Sequence, residues 1–217
     1  MGAVKVKGYT IGPGANLEDA NLHHANLPEA NLTGANFTGA DLARVDLSRV
    51  NLRCANLSGV DLTRANLTEA NLRHANLSEV NFYRANLKDA NLAGADLSGM
   101  DLTGASLSGV DLTGASLSGA RLGGVSLSGA DLTEVDFRGA RLHLANLRDA
   151  DLSRADLRHA DLSRADLSRA NLARTDLTGA NLFATVLTGA RLKKVRANHH
   201  TQWPDDFDPE AAGVTFE

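Results

Sequence analysis

The stretch SRADLRHADLSRADLSRANL, Ser153 to Leu172, carries an Ala-Asp-Leu or Ala-Asn-Leu core at every fifth residue. Its density of Arg and Asp suggests a charged surface helix. An α-helix, however, places its apolar residues three and four apart. Outward from this stretch the same grammar runs over most of the chain. From Ala15, nearly every fifth residue is small and apolar, with Val45, Val50, Val60, Val80, Met100, Val110, Val125 and Val135 among the alanines and Thr at 175 and 185. Two residues after each stands Leu or Phe, from Leu17 to Leu192, and between them lies a polar residue, usually Asp or Asn. The frame holds for 36 consecutive pentads, residues 15–194, without an insertion.

That period excludes the two regular structures. On an α-helix, five residues advance about 500°, so successive leucines wrap around the axis and form no buried stripe. On a straight strand, an odd period sends successive leucines to opposite faces. Within one pentad the small residue and the Leu are two apart and point the same way in an extended segment. The pattern is satisfied when the chain turns a corner every five residues, always in the same sense. Gly, Ser, Thr, Arg and Glu fill the two positions after the Leu, where a corner exposes them.

The A-(D/N)-L-x-x grammar of residues 15–194 resembles the pentapeptide-repeat family. The resemblance implies an all-β fold, a right-handed quadrilateral parallel β-helix with four pentads per coil and the Leu/Phe and small residues inward. Gly39, Gly59, Gly99, Gly119, Gly139 and Gly179 share one position modulo twenty, which agrees with four. About nine coils then make a rod roughly 43 Å long at strand spacing. The expected core includes Leu17, Phe37, Leu57, Leu77, Phe82, Leu97, Phe137 and Leu157. Residues 1–14 are expected to cap the first coil, through Val4, Val6, Tyr9 and Ile11, because solenoids need covered ends. Residues 195–217 are expected to form a C-terminal lid around Trp203 and Phe207. Asp208 as N-cap, Pro209 in a first turn and Gly213 beyond the end suit a very short helix there.

The bulk numbers allow one domain or two at 217 residues. The chain is 43% hydrophobic but only 4% aromatic, so its core is built from Ala and Leu. A formal charge of −4 argues against a dedicated nucleic-acid or membrane-surface binder. The single cysteine, Cys54, excludes an intramolecular disulfide and fits a reducing compartment. MGAVKVKGYTIGPG has no continuous apolar run, and no stretch reaches the ~18 apolar residues of a membrane span. A cytoplasmic protein is the expectation.

Chemistry on this surface is sparse. The seven histidines are scattered; His23 and His143 share a column but lie six coils, roughly 29 Å, apart. His199-His200 has no third ligand near it in sequence, so no metal is expected. Carboxylates recur everywhere, yet a catalytic pair needs a concave, partly desolvated pocket, and an unbroken convex rod offers none. No cofactor and no enzymatic activity are expected. Sorted modulo twenty, the four walls carry net charges of −5, +2, −2 and +3, beginning with the wall that holds Leu17. The acidic wall holds Asp96, Asp136, Asp156 and Asp176, the candidate partner-binding residues. Arg44, Arg64 and Arg84 form a basic column on the second wall. From Gly94 to Gly129, which includes DLTGASLSGVDLTGASLSGARLGGVSLSG at 101–129, runs a waist of small side chains; it reads most simply as a near-consensus duplication, with a smooth docking strip as the alternative. Direct nucleic-acid binding is not expected, because Tyr83 and Phe183 are the only outward aromatics.

The function expected is a non-enzymatic rod that presents its outer faces to a protein partner, as a monomer or an end-to-end homodimer. The family resemblance implies a specific alternative. Some members mimic B-DNA, bind DNA gyrase or another topoisomerase, and confer resistance to quinolones or other gyrase poisons. In that case Asp96, Asp136, Asp156 and Asp176 stand in for phosphates.

Overall fold

A computed structural model describes residues 4–216; residues 1–3, Glu217 and the side chain of Val4, one of the expected cap residues, lie outside the described residues. The architecture is a β-helix solenoid. Parallel bridges join the central position of nearly every pentad to the residue twenty further on, from Asn16↔Asn36 through Asp136↔Asp156 to Asp176↔Arg196. Four pentads therefore complete one coil. The last bridge, Asn181↔Gln202, takes up one extra residue where the repeat ends.

One set of hydrogen bonds recurs from pentad to pentad. Leu17 N–H donates to the Asn36 carbonyl at 2.7 Å, and Asn36 N–H donates to Ala15 at 2.9 Å, which fastens one coil to the next. The corner closes when Ala20 N–H donates to the Leu17 carbonyl at 3.1 Å. The Asp/Asn residue starts that corner: Asp46 Oδ1 accepts the Ser48 N–H at 3.0 Å, and Asp151 Oδ1 accepts that of Ser153 at 2.8 Å. These are Asx turns, and they explain why a short side chain with an accepting oxygen recurs between the two inward residues. The fifth residue of every pentad, from Asp19 to Lys194, is left-handed, with φ between 52° and 80°. Only 14 of those 36 residues are Gly; each of the others holds a side chain in a region that costs about 1–2 kcal/mol.

The inward columns are dry. Leu17, Phe37, Leu57, Leu77, Phe82, Leu97, Phe137 and Leu157 are all at most 2% exposed. Burying each such side chain contributes roughly 1.5–3 kcal/mol before conformational entropy is set against it. Thr175, Thr185 and Thr201 replace the small apolar residue near the C-terminal end, and their hydroxyls donate to the carbonyls of Leu152, Leu162 and Leu177 at 2.8–3.0 Å. No buried hydroxyl is left unpaired there.

The ladder is interrupted once. Among the described residues no bridge joins Asn76 to Asp96 or Asn81 to Asp101, although the neighbouring bridges Asn71↔Asn91 and Asn86↔Ser106 are intact. The backbone bonds that would link Leu77 to Asp96 and Phe82 to Asp101 are missing with them. Val60, Val80 and Met100 succeed one another in a column that holds Ala20 and Ala40 above and Ala120 below. Phe82 follows Val80 by two residues, in the adjoining inward column of the same wall. The break in the ladder coincides with this run of larger side chains.

Both ends are covered. Strand β1 (Val4–Val6) pairs antiparallel with β2 (Tyr9–Ile11). Lys7 and Gly8 between them have φ of 51° and 88°, the left-handed pair that a tight hairpin requires. Ile11 is buried, and Val6 and Tyr9 pack on the first coil. At the far end β3 (Arg196–Ala197) pairs parallel with β4 (Thr215–Phe216), so the tail returns to the last coil. Trp203 and Phe207 stack with centroids 5.2 Å apart and pack against the core.

The expected short helix is instead a single turn. Asp208 Oδ1 does cap it, accepting the Ala211 N–H at 3.0 Å. Immediately afterwards Val214 N–H donates to Pro209 and Gly213 N–H to Glu210, both at 3.0 Å, with Gly213 at φ 81°. Start signal and left-handed stop signal stand too close together to leave a helix between them.

Candidate functional site

The coil length of twenty brings Asp96, Asp136, Asp156 and Asp176 into one column, with Ser116 between the first two and Arg196 after the last. Neighbours in that column lie about 4.8 Å apart. One oxygen of each carboxylate serves the corner: Asp96 accepts from Ser98 N–H at 3.1 Å, and Asp136 from Arg138 N–H at 3.0 Å. Only their remaining valence is available to a partner.

Three of the four are also gripped by arginine. Arg138 donates Nε to Asp136 Oδ1 at 2.9 Å and Nη2 to Oδ2 at 2.7 Å. Arg158 repeats the fork on Asp156 at 2.9 and 2.6 Å. Arg196 Nη2 reaches Asp176 Oδ2 at 2.5 Å from the next coil. Longer contacts, Arg138 Nε to Asp156 at 3.8 Å and Arg158 Nε to Asp176 at 3.9 Å, connect the coils. The column is thus a zipper of alternating sign. Hydrogen bonding by Arg138 holds the Asp136 carboxyl below the ordinary carboxylate range. Burial pushes Asp176 up, but the Thr178 hydroxyl and amide together with Arg196 outweigh it, and its carboxyl also lies low. The Ser98 hydroxyl does the same for Asp96, which has no arginine on it.

The other walls differ in kind. Arg44, Arg64 and Arg84 occupy successive left-handed corners. Among the described residues none of the three makes an ion pair; the Arg84 guanidinium lies 5.2 Å from the centre of the Tyr83 ring. Elsewhere arginines lace adjacent coils, Arg49 to Glu29 at 2.8 Å and Arg154 to Glu134 at 2.9 Å. Such exposed pairs are each worth about 0–1 kcal/mol. In the waist, hydroxyls take over this lacing, Ser98 with Ser116 at 2.7 Å and Ser108 with Ser126 at 2.8 Å.

His23 contacts Asp41 at 3.3 Å and stacks edge-on with His24; His199 and His200 lie ring to ring. Among the described residues no three His, Cys, Asp or Glu side chains converge as metal ligands. Cys54 is an exposed corner residue. No helix among the described residues is long and apolar enough to cross a membrane.

Sequence reasoning counted Arg138 and Arg158 as charges on the acidic wall but did not see that they neutralise it locally. The signal was present as Asp-Phe-Arg at 136–138 and Asp-Leu-Arg at 156–158, two residues apart across one corner. Arg196 was missed because it lies just past the repeat. Leu144, an exposed leucine at φ 59°, was not singled out at all.

Comparison with known proteins agrees with this geometry. The family model described as pentapeptide repeats matches in eight copies, over residues 15–53, 55–92, 81–119, 111–149, 126–164 and 160–196. Among solved structures, HetL of the cyanobacterium Nostoc sp. strain PCC 7120, a pentapeptide repeat protein involved in heterocyst differentiation regulation, is 38% identical; the match covers 81% of this chain and 86% of that one, with a TM-score of 0.37. A trypsin-treated form of QnrB1, a plasmid-mediated fluoroquinolone resistance protein, is 19% identical over 91% of this chain and 86% of that one, with a TM-score of 0.53. At that identity the likeness concerns the fold alone. No curated protein sequence matches the chain. With almost the whole solenoid matched, the chain belongs to the pentapeptide repeat family.

Proposed function

We propose that the chain is a non-enzymatic, right-handed, four-sided rod of about nine coils that acts in the cytoplasm by presenting its outer walls to a protein partner. The observation that carries this reading is the exposure of large apolar side chains on one outer wall of the fold. Tyr83, Leu144 and Phe183, on the second wall, are each roughly half exposed. Clustered apolar side chains on an outer surface are the usual mark of an interaction site. The test is wall-by-wall photo-crosslinking in the producing cell, with a benzophenone side chain at one exposed position on each wall. A discrete, saturable adduct concentrated on one wall supports the reading; no adduct from any wall overturns it.

A second reading is the gyrase-directed DNA mimic. The column of stacked carboxylates from Asp96 to Asp176 favours it. The guanidinium groups of Arg138, Arg158 and Arg196 work against it, since they return positive charge to the places where phosphates would be imitated. Supercoiling by purified gyrase, with and without a fluoroquinolone, decides the matter. Inhibition or drug protection at micromolar rod sustains the mimic, and its absence removes it.

A further inference from the structure

The second wall carries an open depression of about 780 Å³ near its C-terminal end. Its lining includes His143, Leu144, Ser163 and Phe183 together with the charged Arg141, Asp161 and Arg164. The hollow follows from side-chain sizes in one column. His143, Ser163 and Phe183 occupy the same place in successive coils, so a small residue lies between two rings. The His143 ring is tilted away over Gly123, which has no Cβ to hold it off; a Cβ there would meet the ring at 2.3 Å.

Two features show that the hollow is costly to the fold. Leu144 is 57% exposed and left-handed, in a column that elsewhere uses His24, Arg44, Arg64, Arg84, Gly104, Gly124, Arg164 and Ala184. Phe183 is 48% exposed, where Ser163 and Thr103 occupy the equivalent corner. The arginine charges of the lining are unused. Among the described residues neither Arg141 nor Arg164 makes a side-chain hydrogen bond or ion pair, whereas Asp161 between them is occupied by the Ser163 amide at 3.0 Å and the Asn181 side chain at 3.2 Å.

We propose that this depression docks an acidic segment of a protein partner through one aromatic side chain, seated over Ser163 between His143 and Phe183, with the segment's carboxylates beside Arg141 and Arg164. His143 and Phe183 stand two coils apart, roughly 10 Å at strand spacing. Because the His143 ring leans over Gly123, the space above Ser163 is open on that side, and a ring seated there stacks on Phe183 about one coil spacing away, with Leu144 beside it. Both guanidiniums can then take carboxylates as charge-assisted hydrogen bonds. A buried aromatic anchor with charged residues at its rim is the pattern by which small interfaces gain most of their affinity. This inference rests on the protein-binding reading and names the wall and the chemistry of the partner.

The test is amide chemical-shift mapping of the full chain titrated with acetyl-Asp-Glu-Tyr-Asp-Glu-amide. The expected result is saturable shifts at residues 141–144, 161–164 and 181–184. Binding should weaken about tenfold when the peptide's Tyr becomes Ala. Two variants should abolish the shifts with the solenoid's circular dichroism unchanged. Leu144→Gly with Phe183→Ser removes the walls using residues suited to those corners, and Ser163→Tyr fills the floor. Equal shifts with the Ala peptide, or no shifts up to millimolar peptide, overturn the inference. Shifts centred on Arg44, Arg64 and Arg84 or on another wall also overturn it, while leaving the protein-binding reading in place. Photo-crosslinking that is silent on all four walls takes down both.

Discussion

Arg158 holds Asp156 through both arms of its guanidinium, at 2.9 and 2.6 Å, two residues along the same corner. Arg138 does the same to Asp136 one coil earlier. The wall with the greatest excess of carboxylates is therefore locally neutral where those carboxylates stack. Replacing both arginines by alanine should unmask it. The carboxyl of Asp136 should then titrate closer to the ordinary range, since Arg138 is the main cause of its depression. Carbonyl-carbon NMR titration reads this directly. Any affinity of the rod for a topoisomerase should rise in the same variant, because a mimic of phosphate gains from every charge released.

Acid should weaken the solenoid in a narrow range. The carboxyls of Asp136, Asp166 and Asp176 all lie below the ordinary value, Asp136 chiefly through Arg138 and Asp166 chiefly through the Ser168 hydroxyl. Groups depressed in the folded state add stability that is complete above their unfolded pKa and is lost as pH falls through the folded one. Melting temperature should hold steady from neutrality to about pH 5 and decline below about pH 4. A decline centred near pH 6 would assign the effect to histidines instead.

Leu97 is 1% exposed in a middle coil. Leu97→Ala should cost about 2–5 kcal/mol through the cavity it leaves. Leu97→Asp should prevent folding under ordinary conditions, because it places an unpaired carboxylate among leucines. Denaturant titration of the two variants checks the order; an Asp variant as stable as the Ala variant would contradict a dry interior column.

What the sequence made legible was everything that depends on period alone. Leu17 to Leu192 recur at five, and Phe37, Phe82 and Phe137 fall in the same inward frame and are buried as expected. The corners were visible as positions but not as a conformation, since Arg, Glu, His and Cys outnumber Gly in the left-handed place and hide the requirement. The sequence shows Asp and Asn only as the polar residue between two inward ones; that their oxygens accept the turn amides is seen in the structure alone. The pairing of Asp136 with Arg138 depends on side-chain rotamers, which spacing does not specify. The hollow over Ser163 depends on residues forty apart, His143 and Phe183, becoming near neighbours once the coil length is known.

Trp203 covers the last coil but has the one buried side-chain polar atom without a hydrogen-bond partner among the described residues, its Nε1. Leaving such a donor unmade costs about 1–3 kcal/mol. Trp203→Phe should therefore be neutral or slightly stabilising, because the stack on Phe207 survives and the orphan donor is gone. Trp203→Ala should lower stability by about 3–5 kcal/mol. As the chain's sole tryptophan, it also reports on the cap: its fluorescence should change at lower denaturant than the far-ultraviolet circular dichroism, since solenoids fray from their ends.

The break beside Met100 makes the sharpest local prediction. Asp96 and Asp101 lack bridges back to the preceding coil, whereas Ser116 and Arg121 bridge back to them one coil later. Their amides should exchange with solvent much faster than those of Ser116 and Arg121, although both pairs lie well inside the rod. Overfilling of a core typically costs about 1–3 kcal/mol, and Met100 is only partly buried, so trimming it sacrifices little contact. Met100→Ala should let the two coils close, slow exchange at Asp96 and Asp101 by at least the factor seen one coil away, and raise the melting temperature. Exchange that stays fast in Met100→Ala would shift the cause to Phe82, and Phe82→Leu, which matches the rest of its column, would then be the substitution that restores the ladder.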